Sequence, residues 1–195
     1  MKHTRAIRIL GVFMATALTS ACVSAPVAAY RLASEPGTVE QIAPLTIGVR
    51  RIGIPSYLDQ GNIPKPVSRF VAGSFPNAIW AGSFANTLQT TMVEDLAQRL
   101  NGATVIDSDG SIELPSDLQI EINVLRFDPS ITGNVELNMQ VALKAGADHR
   151  LLVVQTITRT LPAGATASDI VATMSALWAS AADQIATSVA STRSE

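Results

Sequence analysis

Two stretches of the chain alternate apolar and polar residues strictly, and they restrict the fold more than anything else in the sequence. Leu118, Ile120, Ile122 and Val124 alternate with Gln119, Glu121 and Asn123. Val135, Leu137, Met139, Val141 and Leu143 alternate with Glu136, Asn138 and Gln140. A period of two puts every apolar member on one side of an extended chain, so each run predicts a strand with one core face and one wet face. Leu151 to Thr160 is apolar on both parities at first and then mixed. With the Ala-Gly-Ala-Asp turn of Lys144–Arg150 it predicts an antiparallel hairpin with the second run.

The remaining apolar face must come from helices. Phe84, Leu88, Met92, Leu96 and Leu100 recur every four residues, widened by Ala85 and Val93, and predict a helix over Gly82–Leu100 that stops at Asn101-Gly102. Glu94, Asp95, Gln98 and Arg99 lie off that stripe and are expected on its solvated side. Thr166 and Asp169 can cap a last helix whose apolar face holds Ile170, Met174, Leu177, Trp178, Ala181, Ile185 and Val189. Earlier in the chain, Leu45, Ile47 and Val49 alternate, and Ile52 and Ile54 then take the opposite parity. That switch predicts a bulge or a change of face near Arg50-Arg51. Tyr30-Arg31-Leu32 is expected to open a first strand, and Pro66–Ala72 reads as another, after an irregular stretch bracketed by Pro64 and Pro66. The economical assembly is an α/β domain of the α+β type: a mostly antiparallel or mixed sheet with two amphipathic helices packed on one face.

The N-terminus reads as an export signal. Lys2, Arg5 and Arg8 precede an apolar run from Ile9 to Leu18, about half the ~20 residues needed to span a bilayer. Small residues then lead to Cys22, the single cysteine of the chain. Leu-Thr-Ser-Ala-Cys resembles the bacterial lipobox, with Leu18 one place early. In that reading the Cys22 thiol carries a diacylglycerol, and cleavage before it frees an amine for a further acyl chain such as palmitate. The other reading is ordinary signal-peptide cleavage with Cys22 incidental. The expected organisation is therefore a lipoprotein signal peptide at 1–21, a lipidated tether at 22–29 and a single periplasmic domain at 30–195. Val23 rather than Asp follows the cysteine, which favours the outer membrane.

Removing residues 1–21 takes the 14 basic residues to 11 against 16 acidic ones, a net charge near −5. Such a balance argues against nucleic acid and against a polybasic membrane patch. Catalytic signatures are sparse. His149 is the one histidine after the leader and sits in the predicted hairpin turn. No serine lies in a Gly-x-Ser-x-Gly elbow, and no phosphate-cradling glycine loop is present. Asp107 and Asp109 read as turn formers rather than calcium ligands. The chain reads as a non-enzyme with no metal site and no cofactor beyond a covalent lipid on Cys22.

One set of residues points to a family. Pro55, Tyr57, Leu58 and Asp59 form Pro-x-Tyr-Leu-Asp after a strand, followed by a strand holding Arg69 and by Ile79-Trp80-Ala81 leading into a helix. Tyr30-Arg31-Leu32 after the tether, Arg126-Phe127 ending a long strand, and the Ala-rich last helix complete the pattern. Their order is similar to the ABC-type transport auxiliary lipoprotein family that includes PqiC. Gly82-Ser83 departs from the acidic residue and proline common there. The resemblance implies an outer-membrane lipoprotein facing the periplasm and working beside an MCE-domain protein and an inner-membrane transport component to move lipids. It also implies docking rather than catalysis, with ring assembly of copies. Another envelope assembly or pilotin-like adaptor is the alternative. Within the motif, Tyr57 and Leu58 either pack a loop or meet a partner. Trp80 is expected half in the core with its indole N–H finding a partner, and Arg126 to pair with a carboxylate, Asp59 being a candidate.

Overall fold

The computed structural model describes residues 26–192. The leader, Cys22 and the start of the tether lie outside the described residues. Eight strands and two helices follow in the order β1 (Ala28–Tyr30), β2 (Glu40–Val49), β3 (Asn62–Ser68), β4 (Val71–Trp80), α1 (Phe84–Arg99), β5 (Leu100–Asp107), β6 (Leu118–Pro129), β7 (Asn134–Ala145), β8 (Leu151–Pro162) and α2 (Ala167–Ser191). They form a five-stranded sheet ordered β5-β2-β6-β7-β8 and a three-stranded sheet ordered β1-β4-β3. The large sheet is mixed: β5, β2 and β6 run parallel, and β6-β7-β8 are antiparallel. The α+β class and the mixed sheet are as the sequence predicts.

The two alternating runs become β6 and β7. Their apolar members, from Leu118 to Val124 and from Val135 to Leu143, are all buried on the face covered by the helices. Helix α1 packs on β5 and α2, and α2 packs on β2, β7 and β8. Thr166 and Asp169 form a reciprocal capping box that fixes the start of α2. A file of four rings joins the layers: Trp80 on Phe84 at 4.4 Å between centroids, Phe84 to Phe127 at 6.0 Å, and Phe127 to Trp178 at 5.7 Å.

Several expectations are corrected. Asp95 and Arg99 are fully buried rather than solvated, because α1 faces α2 as well as the sheet. The Arg99 guanidinium reaches Asp183 at 2.7 Å and the carbonyls of Glu35, Asp95 and Ala179. Helix α1 does not end in a loop at Asn101-Gly102 but passes at Leu100 directly into β5, with Gly102 at φ +106°. A Cβ there would lie 2.3 Å from the Ile42 carbonyl oxygen, so the parallel β2–β5 pairing requires glycine. Strand β2 ends at Val49, and its irregularity falls between Gln41 and Leu45 rather than at Arg50-Arg51. Beyond it Arg50 N–H donates to the Ile120 carbonyl at 2.9 Å, and Gly53 forms an isolated bridge to β6 at Asn123.

The segment read as one strand over Pro66–Ala72 is a hairpin. Ser68 pairs with Val71, and Arg69-Phe70 form the turn. Pro64 and Pro66 lie in β3, an edge strand, where alternate backbone positions need no ladder donor. Strand β1 starts at Ala28, inside the segment read as tether, and ends rather than begins at Tyr30.

Candidate docking site

The Pro55–Asp59 segment is a single tight turn. Pro55 holds φ at −62°, Leu58 N–H donates to the Pro55 carbonyl at 3.0 Å, and Asp59 N–H donates to the Ser56 carbonyl at 3.2 Å. This geometry turns Leu58 into the core and Tyr57 outward, where it keeps 38% exposure. Asp59 accepts from the Ser83 hydroxyl at 3.3 Å and so ties the turn to the start of α1.

Tyr57 meets the end of β6. A register shift between Val124 and Arg126 reverses the side-chain parity of the strand, sending Phe127 into the core and Arg126 out of it. Arg126 donates through Nε to Asp128 at 2.7 Å and through its terminal nitrogen to Glu136. Asp128 and Glu136 are directly opposite across the β6–β7 ladder, a repulsive placement that the guanidinium between them offsets. The Asp128 hydrogen bond is the main influence raising the Arg126 pKa. Desolvation first, and the Asp128 carboxylate second, push the Tyr57 hydroxyl up to about 12, so it remains a neutral donor. Because Arg126 is 42% exposed, each pair adds roughly 0–1 kcal/mol to stability. The cluster therefore presents charge more than it holds the fold.

Tyr57, Arg126, Asp128 and Glu136 form one wall of a cleft of about 680 Å³, and the β3–β4 hairpin with Lys65, Arg69 and Phe70 forms the other. The structure thus brings Tyr57, Arg126 and Arg69 to one cleft. It sends Leu58 and Trp80 into the core, and Pro55 and Asp59 to shaping the turn. Arg69 lies in the hairpin turn rather than in a strand. Trp80 is 3% exposed, deeper than expected, and its Nε1 has no partner among the described residues. Asp59 is not the mate of Arg126; Asp128 and Glu136 are. Glu136 stands on the polar parity of its strand, whereas Asp128 shares the apolar parity of Leu118–Val124 and is turned outward only by the bulge, so their convergence on Arg126 depends on the bulge and the register. His149 is an exposed turn residue at φ +55°, 3.1 Å from Gln119. Among the described residues, no three His, Cys, Asp or Glu side chains are placed to hold a metal, and no helix is long and apolar enough to cross a membrane.

The family model for the ABC-type transport auxiliary lipoprotein component matches residues 30–186. No curated protein matches the chain at a significant level. The protein XCC0632 from Xanthomonas campestris superposes with a TM-score of 0.69 at 16% identity, covering 86% of this chain and 96% of that one. The crystal structure of an uncharacterized protein superposes with a TM-score of 0.66 at 21% identity, covering 80% of this chain and 99% of the other. These similarities establish a shared fold.

Proposed function

The chain belongs to the ABC-type transport auxiliary lipoprotein family, and from that membership we propose that it is an outer-membrane-anchored periplasmic adaptor of a lipid-transport system. It acts by docking to an MCE-domain protein that is coupled to an inner-membrane transport component. Cys22 carries the lipid that holds it on the membrane, and copies assemble as a ring. The observation that carries the docking role is the convergence of Tyr57 with Arg126, Asp128 and Glu136 on an open cleft wall. Tyr57 and Arg126 are far apart in sequence and both belong to the family-like pattern. A rigid turn presenting a half-exposed tyrosine beside a charged group is the kind of surface from which binding hot spots are built. The pairing of both carboxylates with one guanidinium is suited to recognition by charge and shape.

The test is to co-purify the MCE-type partner with the lipidated protein and with Tyr57→Ala, and to record the melting curve of each. Tyr57 is partly exposed, so the variant is expected to melt within a few degrees of wild type while retaining about a tenth or less of the partner, as loss of a hot spot of about 1.4 kcal/mol or more implies. Full co-purification by the folded variant would move the interface away from this wall.

A further inference from the structure

The tip of the β3–β4 hairpin carries an apolar group for which the fold itself has no use. Centres of two-residue hairpin turns favour Gly, Asn and Asp. Here they are Arg69 and Phe70, and Phe70 is 89% exposed, with Val67 at 59% and Val71 at 53% beside it. The Arg69 guanidinium lies 5.6 Å from the centre of the Phe70 ring. Lys65 and Arg69 are the only charged residues between positions 60 and 80, so the tip is locally cationic in a chain of net charge −2.

The backbone aims this tip toward the side from which the chain enters β1. Strand β1 is parallel to β4, with Ala28 beside Ala78 and Tyr30 beside Trp80. Read backwards from that pairing, both segments run the same way, one toward Cys22 and the other toward Phe70. Cys22 is six residues from Ala28 and can reach ~20 Å, and Phe70 is eight residues from Ala78 and can reach ~28 Å. Both reaches allow the two to meet one plane, and the difference between them, ~5–10 Å, matches the depth to which interfacial apolar groups enter a bilayer.

We infer that the hairpin tip is a second, non-covalent membrane contact, with Phe70, Val67 and Val71 entering the interfacial zone of the bilayer that holds the Cys22 lipid, and Lys65 and Arg69 meeting its anionic phosphates. Basic side chains bury their stems and keep their charge at the headgroups, and each basic residue near an anionic surface adds its own attraction. The contact fixes the tilt of the domain on the membrane, which attachment at a single point cannot do. It rests on the anchored reading proposed above.

The test supplies the anchor chemically, so its outcome is separate from whether the cell lipidates Cys22. Residues 22–195, which hold every described element and the whole described core, are coupled through the single cysteine to a maleimide lipid. The vesicles contain phosphatidylethanolamine and phosphatidylglycerol, with or without brominated acyl chains. Phe70→Trp places a fluorophore at the tip, while Trp80 and Trp178 are buried. The tip indole is expected to shift to the blue and to lose about half its emission or more to brominated chains, whereas wild type changes little. Adding Lys65→Glu and Arg69→Glu to Phe70→Trp should reduce that quenching on anionic vesicles more than on phosphatidylcholine. A tip indole whose emission stays water-like and unquenched on fully coupled vesicles overturns the inference. So does a shift that follows protein concentration regardless of lipid, which would assign the tip to contact between copies.

Discussion

At the scale of single residues, the most consequential side chains are the buried charges Asp95 and Arg99. Arg99 is fully enclosed, with its donors directed at two carboxylates and three carbonyls. Gly37 leaves it room, since a Cβ there would come within 2.3 Å of the guanidinium. Truncation to Ala removes the countercharge of a buried carboxylate and is expected to cost about 3–5 kcal/mol in urea melts. Asp95 accepts from the Ser34 hydroxyl and the Glu35 N–H through one oxygen, while its other oxygen is buried without a partner. Desolvation raises its pKa above the ordinary value of 3.8, outweighing those bonds and the Arg99 charge. A carboxyl that binds its proton more tightly in the folded than in the unfolded state favours folding while protonated. Its contribution is greatest below 3.8 and is lost as pH rises through the folded-state value. Asp95→Asn cannot titrate, so the stability of wild type relative to this variant should fall as pH rises across that window. A difference that grows with pH would show that the ion pair, rather than burial, governs Asp95.

At the scale of elements, α1 tests the packing most directly. Leu88, Met92 and Leu96 are fully buried between the sheet and α2, and each truncation to Ala is expected to cost about 2–5 kcal/mol. Glu94 on the exposed side should cost within about 0.5 kcal/mol. Equal destabilisation of the two classes in urea would contradict the helix face. The sequence made this stripe legible because four-residue spacing leaves few alternatives. It also made β6 and β7 legible through strict alternation, β8 through the hairpin turn before it, and α2 through its cap-capable start and apolar face. It did not disclose β5, because Asn101-Gly102 resembles a helix stop and a parallel strand beside β2 has no turn signal of its own. Nor did it disclose the β3–β4 hairpin, because Arg69-Phe70 is a turn without turn residues and Asn77, at φ +55°, interrupts the parity of β4. The buried side of Asp95 and Arg99 was hidden for a related reason. Charged residues off an apolar stripe signal solvent unless a second helix covers them.

At the scale of the whole molecule, the arrangement separates a core that carries stability from a rim to which the proposed recognition is assigned. The four-ring file and both helices lie on one face of the large sheet. The Tyr57 wall and the hairpin lie at the end where the small sheet meets β6. Sequence reasoning located Tyr57 and Arg126 but could not join them, since their meeting depends on the β6 bulge and on the register that sets Asp128 opposite Glu136. In the proposed reading the location of the molecule is set at Cys22, which lies outside the described residues. An apolar leader too short to span a bilayer, ending at the only cysteine, is expected to give a lipidated N-terminus. A single acyl chain holds a protein marginally at ~0.8 kcal/mol per buried CH₂, and two or three make the attachment lasting. Cys22→Ser should therefore yield protein whose N-terminal peptide carries no lipid mass and that no longer fractionates with outer membranes. The hairpin tip alone, with three apolar side chains, is too small to replace those chains. Wild-type fractionation of Cys22→Ser from cells lacking the partner protein would therefore refute the lipid anchor and leave another part of the chain to hold the membrane.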